Sequence, residues 1–264
     1  MSLIIDGVER NALIINKNVY KFDHIWSPEP LINMAGANAQ NAKYRGKSLG
    51  AFTDDYATKI KDGVFDSMQV GDTFTQNGHT YKIGGFNYLC GAEQNPKLRN
   101  HLIMVTGTLD GAAMNPSDTN AGGFAGSDMW KTYFPIIVNQ LKADFGNHLL
   151  TWNEFLTTGT DGNAANQGKY FAVQASMMNT VMYWGSPSQY SPSSGGKNWN
   201  TGIENRQLPI MKLHPDEQKN DGQQTWQRDI FADEWFAAAS DDGTESVDIA
   251  SATQPDVRAF FLID

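Results

Sequence analysis

Cysteine is nearly absent from this sequence, since Cys90 is the one cysteine among 264 residues. A single thiol excludes an intrachain disulfide and any zinc site built from several thiolates. Cys90 ends the apolar, strand-like run of residues 86–90. We therefore interpret it as a small buried core residue rather than a reactive one.

Positive charge is also scarce. Twenty Lys and Arg residues stand against 29 Asp and Glu residues, which gives a formal net charge of −9 and no local cluster of basic side chains. A surface of this sign repels phosphate backbones. The charge therefore argues against nucleic acid as a partner.

Long apolar runs are missing as well. No run approaches the roughly 20 residues that cross a bilayer. The first seven residues, from Met1 to Gly7, contain no basic segment leading into a long apolar stretch, so no signal peptide is visible. We expect a protein that is made in a cytoplasm, does not insert into membranes, and leaves the cell, if it does, by lysis or by particle assembly.

Signatures of catalysis are equally scarce. The chain has no Gly-x-Ser-x-Gly nucleophile elbow, and its five histidines never form the i, i+4 pair of a helix-borne zinc site. Adjacent acidic pairs occur at Asp54-Asp55, Asp233-Glu234 and Asp241-Asp242. A glycosidase needs two carboxyls about 5–10 Å apart across a cleft, whereas neighbours on a strand point to opposite faces. We expect no enzyme, with no catalytic residue and no metal ligand assigned.

Calcium is the one cofactor that the residues leave open. Residues 241–248 and 160–163 place several oxygen-bearing side chains on turns, which is what a hard cation requires. Neither segment has the spacing of an EF-hand loop. An ordinary acidic turn is the favoured interpretation, and bound calcium is the alternative.

The N-terminal fifth differs from the remainder. The apolar runs at residues 3–5 and 12–15 flank an Asp-Gly turn signal and predict a short hairpin, while residues 35–50 are rich in Asn, Ala and Gly. Such a segment buries little surface of its own and is typically ordered by a neighbour. We predict an arm for docking or oligomerisation at residues 1–55, a main domain at residues 56–264, and a homo-oligomer.

The main domain shows both strand and helix patterns. Asn77-Gly78 between two β-branched, aromatic-rich flanks predicts a hairpin, and residues 102–105 and 257–263 read as buried strands. Apolar residues recur at helical spacing over residues 129–145, where Pro135 predicts a kink or division. Strands at both ends with helices between them indicate an α+β domain.

Two further segments complete the prediction. The Met-rich stripe of residues 172–184 predicts a second helix that Gly185 ends, with its methionines in the core. Residues 185–202 are full of Gly, Ser and Pro and predict a long loop.

Four short segments carry a resemblance to a known family. They are GGFAGSDMW at residues 122–130, FGNHLL at 145–150, WQRD at 226–229 and VRAF at 257–260. Together they resemble the signature pieces of a phage- and prophage-associated domain that is similar to C-type lectins and to phage tropism determinants. The resemblance covers about residues 59–264. Gln227 stands where the family usually has Leu, and the Pro that usually precedes Ala259 is absent.

The resemblance implies both a fold and a role. The fold is a C-type-lectin-like domain with two helices and antiparallel strands. The role is that of a virion structural protein of the tail, the baseplate or the head surface, where it would decorate the capsid. Its partners would be other virion proteins or a glycan receptor on the host cell.

In the similar folds, the segment between the two arginine-bearing pieces displays side chains for recognition, which corresponds here to residues 231–256. Trp235 is the leading candidate because flat aromatic faces bind sugars and partner proteins, although a half-buried core anchor is the alternative. The complete set of candidate ligand-binding residues is Tyr190, Trp199, Asp233, Glu234, Trp235, Asp241, Asp242 and Glu245.

Three functions follow from these observations. The favoured one is a virion protein for attachment or assembly that has no catalytic activity. The second is a tail-associated polysaccharide or peptidoglycan hydrolase, and the third is a purely architectural head or tail protein.

Overall fold

A computed structural model describes residues 31–159, 168–186, 206–231 and 234–264, together with the backbone of five short strands outside these ranges. It confirms a mixed α+β protein with antiparallel sheets. The α-helices are α1 (Met34–Gln40), α2 (Asp54–Lys61), α3 (Gly123–Gly126), α4 (Phe134–Phe145), α5 (Thr180–Trp184) and α6 (Pro209–Leu213). The strands are β1 (Leu3–Ile5), β2 (Val8–Arg10), β3 (Ala12–Ile15), β4 (Asn18–Lys21), β5 (Thr73–Gln76), β6 (His79–Phe86), β7 (Leu102–Thr106), β8 (Trp152–Thr157), β9 (Gly168–Val173), β10 (Ser176–Met177), β11 (Asn198–Trp199), β12 (Thr225–Phe231), β13 (Trp235–Ala239), β14 (Glu245–Ile249) and β15 (Ala259–Ile263).

The first strands pair differently from the sequence prediction. Instead of one hairpin between residues 3–5 and 12–15, β1 pairs with β2 and β3 pairs with β4. The register places Ile5 opposite Val8, so that two residues connect β1 to β2. Two-residue connections are favoured in antiparallel hairpins, and the predicted pairing needs a connection of six residues.

The main sheet has five antiparallel strands in the order β10-β15-β7-β6-β5. Every residue of β7 and β15 is buried, which confirms the two predicted core strands. The hairpin between β5 and β6 is confirmed too. Asn77 and Gly78 have φ angles of 49° and 86°, the left-handed values that a type I′ turn requires.

A second sheet has the order β11-β12-β13-β14. It contains much of the predicted recognition segment, residues 231–256, because β13 and β14 form an antiparallel hairpin there. Ala237, Ala238 and Ala239 are buried within β13. An alanine run has low intrinsic strand propensity, so tertiary burial decides its conformation.

The predicted helix over residues 172–184 is wrong for most of its length. Gly168–Val173 is a strand paired with β8, Ser176–Met177 pairs with the terminal strand, and only Thr180–Trp184 is helical. The Asn179 side chain accepts a hydrogen bond from the Met182 amide at 2.9 Å and so fixes a later start. Gly185 ends the helix with a φ of 79°, as predicted.

The predicted division of the helix over residues 129–145 is confirmed. Met129–Tyr133 forms a π-helical turn, and α4 continues regularly from Phe134 with Pro135 in its first turn. Proline fits there because no earlier carbonyl needs its missing N–H. The turn leaves Trp130 half-buried against Phe124 and Phe134.

Residues 31–55, within the predicted arm, contact the later chain. Ala37 of α1 is buried in the main core, and the Asn33 amide donates to the Asn100 side chain at 2.9 Å. The Arg45 guanidinium pairs with the buried carboxylate of Asp72. The described part of the segment is thus held by side-chain contacts within one chain, and the boundary at residue 55 stays a prediction.

Candidate functional site

The hairpin β13–β14 carries most of the predicted binding residues. Glu234 and Trp235 lie at its first end, Asp241 and Asp242 lie in its turn, and Glu245 begins β14. Asp233 and Tyr190 lie outside the described residues. Trp199 belongs to β11, of which the backbone alone is described.

The hairpin separates these residues into two groups. Trp235 pairs with Ile249, whereas the turn that holds Asp241 follows the opposite end of the strand. Six residues at about 3.3 Å each put roughly 20 Å between the two ends. The predicted residues therefore do not form one site, and Glu234 lies too far from Asp241 to act as its partner in glycoside cleavage.

The Trp235 end presents an apolar row across three strands. Phe231 lies directly opposite Trp235, and Trp235 directly opposite Ile249, so these three side chains share one face of the sheet. Trp235 is 36% exposed, and its two row partners are partly buried. The adjacent Phe236 points to the other face and is fully buried against Trp226. We call Phe231, Trp235 and Ile249 the Trp235 row.

The acidic turn satisfies its own oxygens. Asp241 Oδ1 accepts the Asp242 amide at 2.9 Å, and Asp242 Oδ1 accepts the Thr244 hydroxyl at 2.7 Å and the Thr244 amide at 2.9 Å. The hydrogen bonds from Thr244 lower the pKa of Asp242. This is the pattern of an acidic turn closed by its own side chains.

The described residues contain no group of three or more His, Cys, Asp or Glu side chains placed to hold a metal ion. The second predicted calcium segment, residues 160–163, lies outside the described ranges.

The free edge of β14 offers little backbone for strand addition. The Ser240 amide donates to the Thr244 carbonyl and the Ala250 amide to the Glu234 carbonyl, each at 2.8 Å, so the backbone groups of Glu245, Val247 and Ile249 point away from β13. The Ile249 amide donates to Asp248 Oδ1 at 2.8 Å, and its carbonyl accepts from Ala252 at 2.9 Å. These contacts shorten the edge that could accept another strand, which favours binding through side chains.

The WQRD segment is framework. Trp226 Nε1 donates to the Ala112 carbonyl at 2.8 Å, and Asp229 Oδ2 accepts the Thr180 amide at 2.7 Å at the start of α5. Arg228 forms a buried ion pair with Glu154. The Gln227 side chain is fully buried, and neither its oxygen nor its nitrogen has a hydrogen-bond partner.

A groove that the sequence did not reveal lies between α4 and the end of β9. Its volume is about 470 Å³, and its apolar lining includes Trp130, Phe134 and Val138. Lys131 and Lys142 line it as well. The groove joins segments that are some 40 residues apart in sequence, which explains why no local pattern predicted it. We call it the α4–β9 groove.

A polar cluster joins the β5–β6 turn to the end of α4. The buried carboxylate of Asp144 accepts hydrogen bonds from Asn77 Nδ2 at 2.7 Å, from His79 Nδ1 at 3.0 Å and from Tyr81 Oη. Burial, followed by the hydrogen bond to Asp144, raises the pKa of Tyr81. Among the described residues, no serine, threonine or cysteine side chain hydrogen-bonds to His79. The cluster therefore joins the β5–β6 hairpin to the end of α4 and does not have the arrangement of a nucleophile with its base.

Cys90 does not lie on a strand, because β6 ends at Phe86 and the chain turns at Asn87, whose φ is 51°. The thiol is partly buried and donates to the Arg99 carbonyl at 3.1 Å. Burial raises the pKa of Cys90 to about 11. A thiol with this pKa is protonated at neutral pH and is a poor nucleophile.

Comparison of the chain with protein-family models, with curated proteins and with solved structures gives no match. Among the described residues, no helix combines the length and the apolar character needed to span a bilayer.

Proposed function

We propose that this chain is a bacteriophage virion protein, with a C-type-lectin-like body that presents an outward binding surface to a host receptor or to another virion protein. The protein would act by binding, without catalytic turnover. The surface is the end of the second sheet that carries Glu234 and the Trp235 row.

The observation that carries the proposal is the convergence of the four family-like segments on one framework. Leu150 of the second segment donates its amide at 2.9 Å to the carbonyl of Leu262, which lies on β15, the strand that begins within the fourth segment. A bridge between Leu149 and Ile263 lies next to this hydrogen bond. The Arg228 guanidinium lies 6.0 Å from the centre of the Phe260 ring. Helix α3, from the first segment, contacts β12, which contains the third.

The contacts give the four segments a shared structural role. Segments that are separated by up to about 130 residues in the sequence would retain a family pattern if each were needed to stabilise the same framework. The Trp235 row lies on the strands that leave this framework, and it is partly exposed where the framework is buried. A rigid body that supports an exposed aromatic row is a common arrangement for recognition.

The hydrolase alternative has less support. Glu234 and the acidic turn lie at opposite ends of a hairpin, and Asp241 and Asp242 are engaged within the turn. The purely architectural alternative differs from the proposal in having no host ligand. Competition between the purified chain and particles for adsorption to host cells separates this alternative from the proposal.

The test begins with particles purified from a lysate of the natural host on a density gradient. We expect mass spectrometry to detect this chain in the particle fraction at a constant ratio to the major capsid protein. Purified chain should also compete with particles for adsorption to host cells, and it should release no reducing sugar or muropeptide from host envelopes. Exclusive recovery from the particle-free supernatant would contradict the virion role, and envelope cleavage would favour the hydrolase.

A further inference from the structure

The α4–β9 groove has a definite chemical character. Its apolar lining is aromatic and aliphatic, and its polar lining consists of Lys131, Asn139, Lys142 and Gln174. No Asp or Glu lines it, although the chain as a whole carries a net charge of −9. Such a groove suits an apolar anchor next to a negative charge.

A protein segment fits this groove better than a glycan does. A sugar presents hydroxyl groups around its ring, and each one that is buried without a partner costs free energy. Two amides and two lysines, one of which already donates to the Gly126 carbonyl at 2.6 Å, would satisfy few of them. An aromatic side chain requires no hydrogen-bond partners against an apolar lining.

The same chain displays the complementary feature. Within the described ranges, the exposed large hydrophobic side chains are Leu31, Val64, Ile136 and Trp235, of which Trp235 is the one aromatic. The exposed carboxylate-bearing Glu234 precedes it. An aromatic side chain beside an acidic one is complementary, in polarity and in charge, to a groove lined by apolar side chains and lysines.

We propose that Trp235 of one copy of this chain inserts into the α4–β9 groove of a second copy, with Glu234 facing Lys142. The contact deepens the proposed function, and it rests on that function only in taking the Trp235 row as a binding surface. A single aromatic anchor buries less than the roughly 800 Å² per partner of a standard interface. The association is therefore weak for isolated molecules, and a crowded particle surface would strengthen it.

Sedimentation equilibrium of the full chain over a wide concentration range tests the contact. We expect reversible association, weakened about 10- to 30-fold by Trp235→Ala, as for the loss of an interface anchor. Ala172→Trp should weaken it as well, because Ala172 is an exposed residue of the groove lining and a larger side chain would fill the space. Ile136→Ala is the matched control, since Ile136 is 64% exposed on the same helix but does not line the groove.

Mixing gives the sharpest result. Trp235→Ala retains its groove and Ala172→Trp retains its anchor. At a concentration where the wild type associates and each variant alone is monomeric, their mixture should associate. Glu234→Lys and Lys142→Glu should each weaken association, and their combination in one chain should restore it. A monomeric wild-type protein at every concentration, a mixture that stays monomeric, or equal weakening by Ile136→Ala would overturn the proposal. Because purified protein suffices, association that persists for a chain absent from particles would contradict the virion role alone.

Discussion

The guanidinium of Arg228 and the carboxylate of Glu154 form an ion pair inside the core, where the two side chains are 0% and 5% exposed. Both charges have further partners. Trp152 Nε1 donates to Glu154 Oε2 at 2.7 Å, and Arg228 Nη1 donates to the Met177 carbonyl at 2.9 Å. The pair thereby connects β8, β10 and β12, which belong to three different sheets.

Removing one member of this pair should be strongly destabilising. Glu154→Ala leaves the Arg228 charge buried without its counterion, and we expect a loss of about 3–5 kcal/mol in the free energy of unfolding. Guanidinium denaturation measures this loss. Asp55→Ala is the control, because the Lys59–Asp55 pair is exposed and its removal should change the free energy of unfolding far less.

The double variant Arg228→Met with Glu154→Leu should recover much of that stability, since apolar residues of similar volume often replace a buried pair at little cost. Equal losses for Glu154→Ala and Asp55→Ala would mean that the pair is not buried as described.

Gln227→Leu should stabilise the protein. The Gln227 amide is fully buried with no hydrogen-bond partner on either atom, so each atom has lost water without compensation. Replacing it should gain about 1–3 kcal/mol, visible as an increase of several degrees in the melting temperature. Gln224→Leu should give no such gain, because Gln224 Nε2 donates to Ser246 Oγ at 3.3 Å and the residue is partly exposed. A lower melting temperature for Gln227→Leu would contradict this account.

The features that the sequence predicts correctly are those that depend on residues close to one another in the chain. Asn77-Gly78 needs two left-handed residues in succession, and the terminal strand is continuously apolar, so both are visible locally. Residues 172–184 were misjudged because methionines and valines suit the core in either a helix or a strand. Pairing with β8 and β15 decides between the two conformations, and pairing is not local.

The site was predictable to a smaller extent for the same reason. Trp235 was singled out as an aromatic among acidic residues, but its row partners Phe231 and Ile249 depend on strand register. Asp241 and Asp242 belong to the same set of candidate binding residues as Trp235, and the length of the hairpin places them at its other end. The α4–β9 groove needs the contact between two distant segments.

Trp235→Ala should change stability little. A side chain that is 36% exposed loses a limited part of its burial energy when truncated, and we expect a cost of no more than about 1–2 kcal/mol. Phe236→Ala, one residue along the same strand, should cost about 3–5 kcal/mol because Phe236 is fully buried. Thermal unfolding of the two variants gives the comparison. A larger loss for Trp235→Ala than for Phe236→Ala would make Trp235 a core anchor and would remove the proposed surface.

Acid should destabilise the protein through His101. Burial lowers the pKa of His101 to about 4, from an ordinary value of about 6.5. Its Nδ1 faces the Arg99 carbonyl at 2.8 Å, and its Nε2 accepts the Leu89 amide at 3.4 Å, so the neutral ring satisfies both neighbours. A proton on Nε2 would face the Leu89 N–H.

The unfolded state therefore binds this proton more readily than the folded state does. The stability is complete above pH about 6.5 and falls as the pH decreases towards about 4, by up to about 3 kcal/mol. We expect the free energy of unfolding of His101→Gln, measured by urea denaturation between pH 4 and pH 7, to vary less with pH than that of the wild type. Identical slopes for the two proteins would exclude His101 as the group responsible.

Immunogold labelling of intact, purified phage particles tests the central claim most directly. Antibodies affinity-purified on the folded chain recognise its exposed surfaces as a whole, so that contact between copies at the Trp235 row does not abolish labelling. The account predicts gold particles at a fixed place on undisturbed virions, at the tail, the baseplate or the head surface. Virions that carry no gold either intact or after disruption, while the chain is recovered from the particle-free lysate, would contradict it.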